Sequence, residues 1–476
     1  STSTLTMRMC KLDGTEFDDS NTYIGATAPD ESSGKSYWLD TSQDPVVLKM
    51  YSSSYSMWTS VATTYVKIQS TGIGIGFEEY DAIKISGITI KGYNDYDFND
   101  TMIVYAKGDD YLIVAGLMDL YHDQTSEVTF KRELPEMDYI CELDNRLWGC
   151  SSRNHEIYAC KQGSPFNWNF FGGFASDSYA ATVGSQGDFT GACSYSGNVF
   201  FFKEDGFHKL YGNRPSNYEM IFKPCRGVQK GCSKSIAIVD EMMVYKSRDA
   251  VIAYDGTANI ISENLGATPY YDAIAVGYRN KYYISMRDSD YRYRLYVYDM
   301  RKQAWVIEDD LRLKFASYAN NGTYLVDFDN NMRVINKEKM YQCFFPMQEE
   351  LGKKYIYPSN DFFAGNTVEG EVEDEIDWSF TTSDLGLDNP YNKYLKRINV
   401  RMELEASTSL RIEVEYESSG IWDYVVEFTA NRKKSYEIPI VVKRADHIRF
   451  RFSGKGKFNL FAIAKAVEAG SGENEA

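Results

Sequence analysis

The stretch NRLWGCSSRNHEIYACKQGSPFNWNFF, residues 145–171, decides how the chain reads. Cys150, His155 and Cys160 fall at even spacing, and Trp168 follows. Three such residues raise the question of a metal centre. If NRLWGCSS and IYACKQ are paired strands, His155 lies in or beside the turn, and Cys160 lies about 16 Å down one strand. Zinc needs its donors within about 2.0–2.3 Å of one point, and a fourth ligand is missing. The stretch therefore reads as strand–turn–strand, with its cysteines behaving as small apolar residues.

Working outward, the same grammar recurs between about 110 and 337. GNVFFFKE–DG–FHKLYG, DEMMVYKS–RD–AVIAYDG, NKYYISMRDSDYRYRLYVYDM and NGTYLVDFDNNMRVIN each join two apolar strands through polar turns. A spacing of roughly 30–50 residues is that of propeller blades or solenoid repeats. A blade cannot cover both faces of its own sheet, so neighbours must cover them. The expectation is a central β-propeller at 109–337, of five to seven blades with six the best count. DYLIVAGL and TYLVDFDNNMRV, at its two ends, would complete one blade between them.

The flanks differ. Residues 1–108 read as one or two small β modules with polar loops. Residues 370–468 hold seven evenly spaced strand candidates, and in RIEVEYE the side chains of Ile412, Val414 and Tyr416 share a face. That predicts an antiparallel β-sandwich. Residues 338–369 read as a linker or insert. Within the region, KEKMYQCFFPMQEELGKK (337–354) is the best helical candidate, interrupted by Pro346. The tail at 469–476 reads as disordered. The fold class is all-β.

Composition agrees. Of 476 residues 15% are aromatic, with 38 tyrosines, and these fit pleated half-buried surfaces. The net charge of −17 argues against a phosphate-gripping surface, though it suits a wall past which DNA slides without sticking. No apolar run reaches the roughly 20 residues of a membrane span, and the first 15 residues carry no signal-peptide core. Eight cysteines without a CxxC pair read as free buried thiols.

Other motifs fare worse. Asp95, Asp97 and Asn99 begin a calcium-loop pattern that fails where Gly and Glu are needed. Asp327, Asp329 and Asn331 come closer, with Glu338 at the twelfth place, but read better as a hairpin turn. Gly72, Gly74 and Gly76 have the wrong spacing for a phosphate cradle and read as a loop or bulge. Of four histidines, His208 falls in a strand and His122, His155 and His447 fall near turns. No serine stands in a GxSxG elbow, and the sialidase Asp-box is absent from the sequence. The reading assigns no catalytic, cofactor or metal residue and takes the chain as no enzyme. Trp168 and Trp422 are its candidate surface-contact aromatics.

The segments LPEMDYICELDNRLWGCSSRNHEIYACKQGSPFNWNFF (134–171) and GDFTGACSYSGNVFFFKEDGFHKLYG (187–212) resemble the propeller-bearing nozzle or tail-stabilisation proteins of short-tailed bacteriophages. SYEIPIVVKRADHIRFRFSGKGKFNLFAIAKAVEAGSG (435–472) is similar to the closing sandwich strands of such proteins, and KSYWLDTS and SMWTS to stretches of their N-terminal part. The resemblance implies a virion structural protein, a homohexameric ring beneath portal and adaptor. DNA would leave through an acidic lumen without specific binding, and assembly would occur in the host bacterial cytoplasm. Two alternatives stand beside it: a tail protein that binds host-surface glycan, and a propeller glycosidase with a carboxylate pair on the ring axis.

Overall fold

The computed structural model describes residues 4–266, 268–319, 322–336, 339–343, 347–350, 353–356, 377–387, 393–405, 408–429, 433–440 and 443–469. The chain is all-β and divides into two compact units, 1–346 and 347–476. Among the described residues the only helical turns are short 3-10 segments, and no helix is long and apolar enough to cross a membrane.

In the first unit, β1 (Leu5–Cys10), β2 (Thr22–Gly25), β3 (Tyr37–Asp40), β4 (Val47–Ser52), β5 (Met57–Ser60), β6 (Tyr65–Gln69), β7 (Ala82–Ser86), β8 (Thr101–Gly108), β9 (Tyr111–Ala115), β10 (Tyr121–Gln124) and β11 (Thr129–Glu133) build two sheets. One runs β10-β1-β6-β9-β8-β7-β11 and the other β2-β3-β4-β5. Met7, Met9, Val66, Ile68, Leu112 and Val114 form the core beneath the larger sheet. The boundary expected at 108 falls inside it, because β8 and β9 are paired across Gly108 and Tyr111. DYLIVAGL, expected to complete a blade with TYLVDFDNNMRV, is β9 of this sheet instead. It pairs with β6 through Val66 and Val114, so both of its edges are used here.

Five four-stranded antiparallel sheets follow in strict chain order, the blades of a β-propeller. They occupy 139–182, 191–224, 237–260, 271–309 and 313–343. Among the described residues the count is five, within the expected five to seven and one below the best count of six. Tight two-residue turns join the first two strands of blades 1, 2 and 3. Asp144–Asn145, Ser196–Gly197 and Asp240–Glu241 all have positive φ, as the mirror-image hairpin turns require. The helical candidate at 337–354 is corrected: Lys339–Cys343 is the last strand of blade 5, and Met347–Glu350 pairs with Lys353–Ile356.

The second strand of each blade explains the apolar runs in the sequence. Asn198–Lys203 and Met242–Lys246 are buried at every position but their first. Strict alternation is lost because the next blade covers what a lone sheet would expose. One core links blades 2, 3 and 4 through Phe200, Phe202, Tyr245, Ile252, Tyr282 and Ile284. A second links blades 1 and 2, and a third links blades 4 and 5.

Burying strand ends also buries loop carbonyls, which need donors. Lys203 Nζ donates to the carbonyls of Ser185, Gln186 and Gly187, at 2.7, 3.2 and 2.7 Å. Lys246 Nζ donates to Gln229 Oε1 at 2.9 Å and to the Ser247 and Arg248 carbonyls. In blade 1 the buried Arg146 guanidinium donates to Cys160 O at 2.9 Å, Ala175 O at 2.7 Å and Asp177 O.

The second unit is a sandwich. One sheet holds Asp377–Thr381, Ile448–Lys455, Ser409–Tyr416 and Trp422–Phe428, in that order. The other is centred on Lys393–Leu404, paired with Lys433–Pro439, Arg444–Ala445 and Phe458–Ala469. Ile398, Val400 and Met402 meet Ile412, Val414 and Phe450 between them. Ile412, Val414 and Tyr416 do share the inward face.

Arg146→Met leaves three carbonyls of the blade 1 loop without their donor and is expected to cost roughly 2–4 kcal/mol. Thermal unfolding should show the propeller transition lowered by several degrees, with Arg146→Lys recovering part of the loss.

Candidate functional site

The opening motif is a docking device. Cys150 pairs in register with Ile157, and Trp148 with Ala159, so the stretch is a hairpin with His155 in its turn at φ +53°. The Cys160 sulfur accepts the Leu147 N–H at 3.1 Å. Trp168 is buried, its N–H donating to Pro165 O at 3.0 Å and its ring packed with Tyr158 and Cys160. As a surface-contact aromatic it is therefore corrected: the SPFNW loop folds back and uses the indole as its own core. The rest of the motif grips the N-terminal sheets. Asn167 Nδ2 donates to Glu79 O at 2.9 Å, Tyr80 meets Phe170 edge-on at 4.8 Å, and Arg132 lies 4.7 Å from the Phe166 ring.

Several thiols, His208 and Lys246 of the first unit are buried. Burial pushes the Cys10 and Cys141 thiols up to about 12, and raises Cys150 and Cys193 further. His208 is buried in blade 2, its Nε2 2.7 Å from Ser185 Oγ. Burial, with the Lys203 ammonium close by, pushes its imidazole down to about 4. Burial likewise holds the Lys246 ammonium down to about 8. His122 lies within β10, not near a turn.

The other motifs are structural as placed. Asn99 bridges to Ile88 through both its amide atoms, and Asp97 Oδ1 accepts the Asn99 N–H. Asp327 closes a hairpin by accepting from Asn331 N, Asn331 Nδ2 and Arg333. Gly74 is required by close approach: a Cβ there would sit 1.8 Å from Gly108 O. The remainder of that calcium-loop pattern, Glu338, lies outside the described residues.

Trp422 behaves differently from Trp168. It is half-buried, on the outer face of the sandwich sheet, at the edge strand beside the one carrying Glu413 and Glu415. Its ring reaches Arg451 (4.5 Å) and Arg449 (5.7 Å) two strands away. The indole thus spans the glutamate strand, and both carboxylates beneath are buried. Glu413 accepts from Arg451 Nε and Nη2 at 2.7 and 2.6 Å, and from Arg411 at 3.0 Å. Glu415 accepts from Arg449 Nε at 2.7 Å and from the Gly420 N–H at 2.5 Å. Burial pushes the Glu415 carboxyl up, but the Gly420 N–H and the Arg449 guanidinium outweigh it and hold it below the usual range. Tyr424, opposite Glu413 in register, stacks near Arg411 at 5.3 Å.

This constellation brings together side chains that the sequence reading left unassigned. The signal was present in the alternation: R-x-E-x-E at Arg411, Glu413 and Glu415, and R-x-R at Arg449 and Arg451.

No family profile and no curated protein matches the chain. Among solved structures it is similar to an exo-β-1,3-galactanase from Phanerochaete chrysosporium bound to galactose, at 11% identity and TM-score 0.23, covering 68% of this chain and 95% of that one. It is also similar to a glycoside hydrolase at 10% identity and TM-score 0.21, covering 68% and 96%. The expectation of a chain that is no enzyme is corrected by this finding, since the solved neighbours are enzymes. At these scores the likeness assigns neither substrate nor catalytic residue.

His208 gives a pH signature. Its folded value of about 4 lies below the roughly 6.5 of an unfolded chain. Between those values the unfolded state binds the proton, so stability is full above pH ~6.5 and falls as pH drops toward 4, by up to roughly 3 kcal/mol. Urea midpoints at pH 7 and pH 4.5 should show the drop in the natural chain and a smaller one in His208→Phe.

Proposed function

We propose that the chain is a structural component of a bacteriophage tail, a nozzle or connector subunit that assembles as a homohexameric ring on portal or adaptor proteins. The observation that carries this reading is the use to which the fold puts the segment of resemblance. In 134–171, Arg146, Trp168, Asn167 and Phe170 are committed to holding the blade 1 loop closed and the N-terminal sheets against it. The most distinctive residues of the chain thus serve rigidity and placement of modules. The charge of −17 supports a wall that repels phosphates, past which genome DNA moves without specific contacts. Assembly in the host cytoplasm and residence in the virion tail belong to the same reading. Native mass spectrometry of the purified chain is expected to show closed rings, six copies the dominant species. A strict monomer at high concentration overturns it.

A second reading, a propeller glycosidase, comes from the solved structures, which are glycoside hydrolases. It requires two carboxylates flanking a glycosidic bond, about 5–5.5 Å apart for a retaining enzyme or 6.5–9.5 Å for an inverting one. On this reading β-1,3-galactan incubated with the protein releases reducing sugar, and one Asp or Glu substitution abolishes the release. Absence of turnover across a panel of polysaccharides removes it.

A further inference from the structure

We infer that the outer face of the C-terminal sandwich is a binding site for a neutral saccharide chain. The inference stands on this face alone and survives the failure of either reading above.

The face is a row of planar groups. Tyr424, the Arg411 guanidinium, the Glu413 carboxylate, the Arg451 guanidinium, Trp422 and the Arg449–Glu415 pair follow one another across three strands. Neighbouring strands lie about 4.8 Å apart and alternate residues about 6.6 Å apart along a strand, so these groups repeat at the scale of a sugar ring. Each guanidinium is held by a carboxylate: Arg451 Nε and Nη2 converge on Glu413 Oε2, and Arg411 meets Glu413 Oε1. Locked donors lose little side-chain freedom when a ligand arrives, which is what weak polar ligands need.

Burial sorts the row into two layers. The Glu413 and Glu415 carboxylates are 8% and 0% exposed, whereas the Arg411, Arg449 and Arg451 side chains are 49%, 33% and 35% exposed. Solvent therefore meets aromatic rings and N–H donors. Among the described residues Glu413 takes two of the five N–H groups of Arg451. Tyr424 is 56% exposed and Ile421 69%, an apolar margin at the edge strand.

Charge decides the ligand class. Among the described residues, Arg411, Arg449 and Arg451 meet Glu413, Glu415 and Asp384, the last 3.6 Å from Arg449, and Glu427 lies opposite Arg411 in register. The face carries no excess of positive charge, and the chain as a whole is strongly acidic. A polyanion such as nucleic acid or a sulfated glycan finds no net attraction there. A neutral chain of hydroxyls offers acceptors to the partly exposed guanidiniums and an apolar ring face to Trp422 and Tyr424.

The test titrates the full chain with a panel of neutral oligosaccharides, among them β-1,3-galactotriose, laminarihexaose, cellohexaose and maltoheptaose, followed by indole fluorescence and calorimetry. At least one is expected to bind, and Tyr424→Ala and Trp422→Phe should each weaken it about tenfold or more. Trp378→Phe, in a ring stacked on Phe458 elsewhere on the sandwich, should leave binding intact. Circular dichroism confirms that each variant is folded, and Tyr424, exposed at a sheet edge, gives the variant least able to disturb folding. No binding to any neutral saccharide at about 10 mM overturns the proposal. So does binding unchanged in both variants, or binding only to heparin or dextran sulfate that disappears with added salt.

Discussion

The propeller of the first unit depends on blades covering each other's faces. Phe202 of blade 2 lies 5.1 Å from Tyr245 of blade 3, and Phe200 and Phe207 lie 5.8 and 5.4 Å from Tyr254. Each such ring contributes about 1.5–3 kcal/mol by leaving water, and none could leave water in an isolated blade. The cost appears at strand ends, where covering the face also covers loops within and between blades. Lys203, Lys246 and Arg146 meet that cost with buried cationic donors. A cation without a carboxylate partner is expensive to bury, and burial lowers the pKa of both lysines accordingly. Several carbonyl dipoles gathered around each head take the place of water.

The same mutual burial explains what the sequence displayed and what it hid. Runs such as NVFFFK and MMVYK announce strands covered on both sides, and paired turn residues such as Asp144–Asn145 mark where each blade folds back. DYLIVAGL looks identical in kind, since β9 is also covered on both faces, and nothing local says that its partners are β6 and β8. The boundary at 108 falls in the two-residue turn of the β8–β9 hairpin, and the pairing of β9 with β6, over forty residues earlier, is what holds DYLIVAGL in this sheet. Trp168 misleads for a related reason. SPFNWNFF mixes the turn formers Ser164, Pro165, Asn167 and Asn169 with four aromatic residues, and its turn formers point to a loop. Its burial follows from the loop closing on Tyr158 and from Asn167 reaching Glu79, contacts that no spacing rule displays. The shared face of Ile412, Val414 and Tyr416 was legible because RIEVEYE alternates cleanly, but the arginines that meet Glu413 and Glu415 on the other face sit in a strand more than thirty residues further on.

Chemistry that looks reactive in one dimension is inert in three. Seven of the cysteines are free, and those in the blades are used as small apolar filler, the Cys193 sulfur lying 3.2 Å from Met243 Sδ. Thiolate is the nucleophile, and burial that raises a thiol's pKa removes it. The Ser185–His208 pair resembles a nucleophile and its base, yet a base held near 4 binds a proton too weakly to take one from a hydroxyl at neutral pH. These particular groups are part of a packed interior.

The sandwich face breaks this pattern, and the contrast is informative. Buried ion pairs contribute little net stability, because desolvating both charges costs as much as their attraction returns, and apolar replacements of similar volume are often as stable or more so. Glu413 and Glu415 lie at positions whose inward neighbours Ile412 and Val414 already anchor the strand. Apolar residues there would leave a greasy, exposed sheet face; ordinary surface polars would leave flexible, solvated side chains. Two buried carboxylates beneath three partly exposed guanidiniums do neither. They fix donors and rings in one arrangement while keeping the face free of excess positive charge, at a cost in stability that packing alone gives no reason to bear. A surface that must present the same planar groups in the same places to something outside the chain does give such a reason.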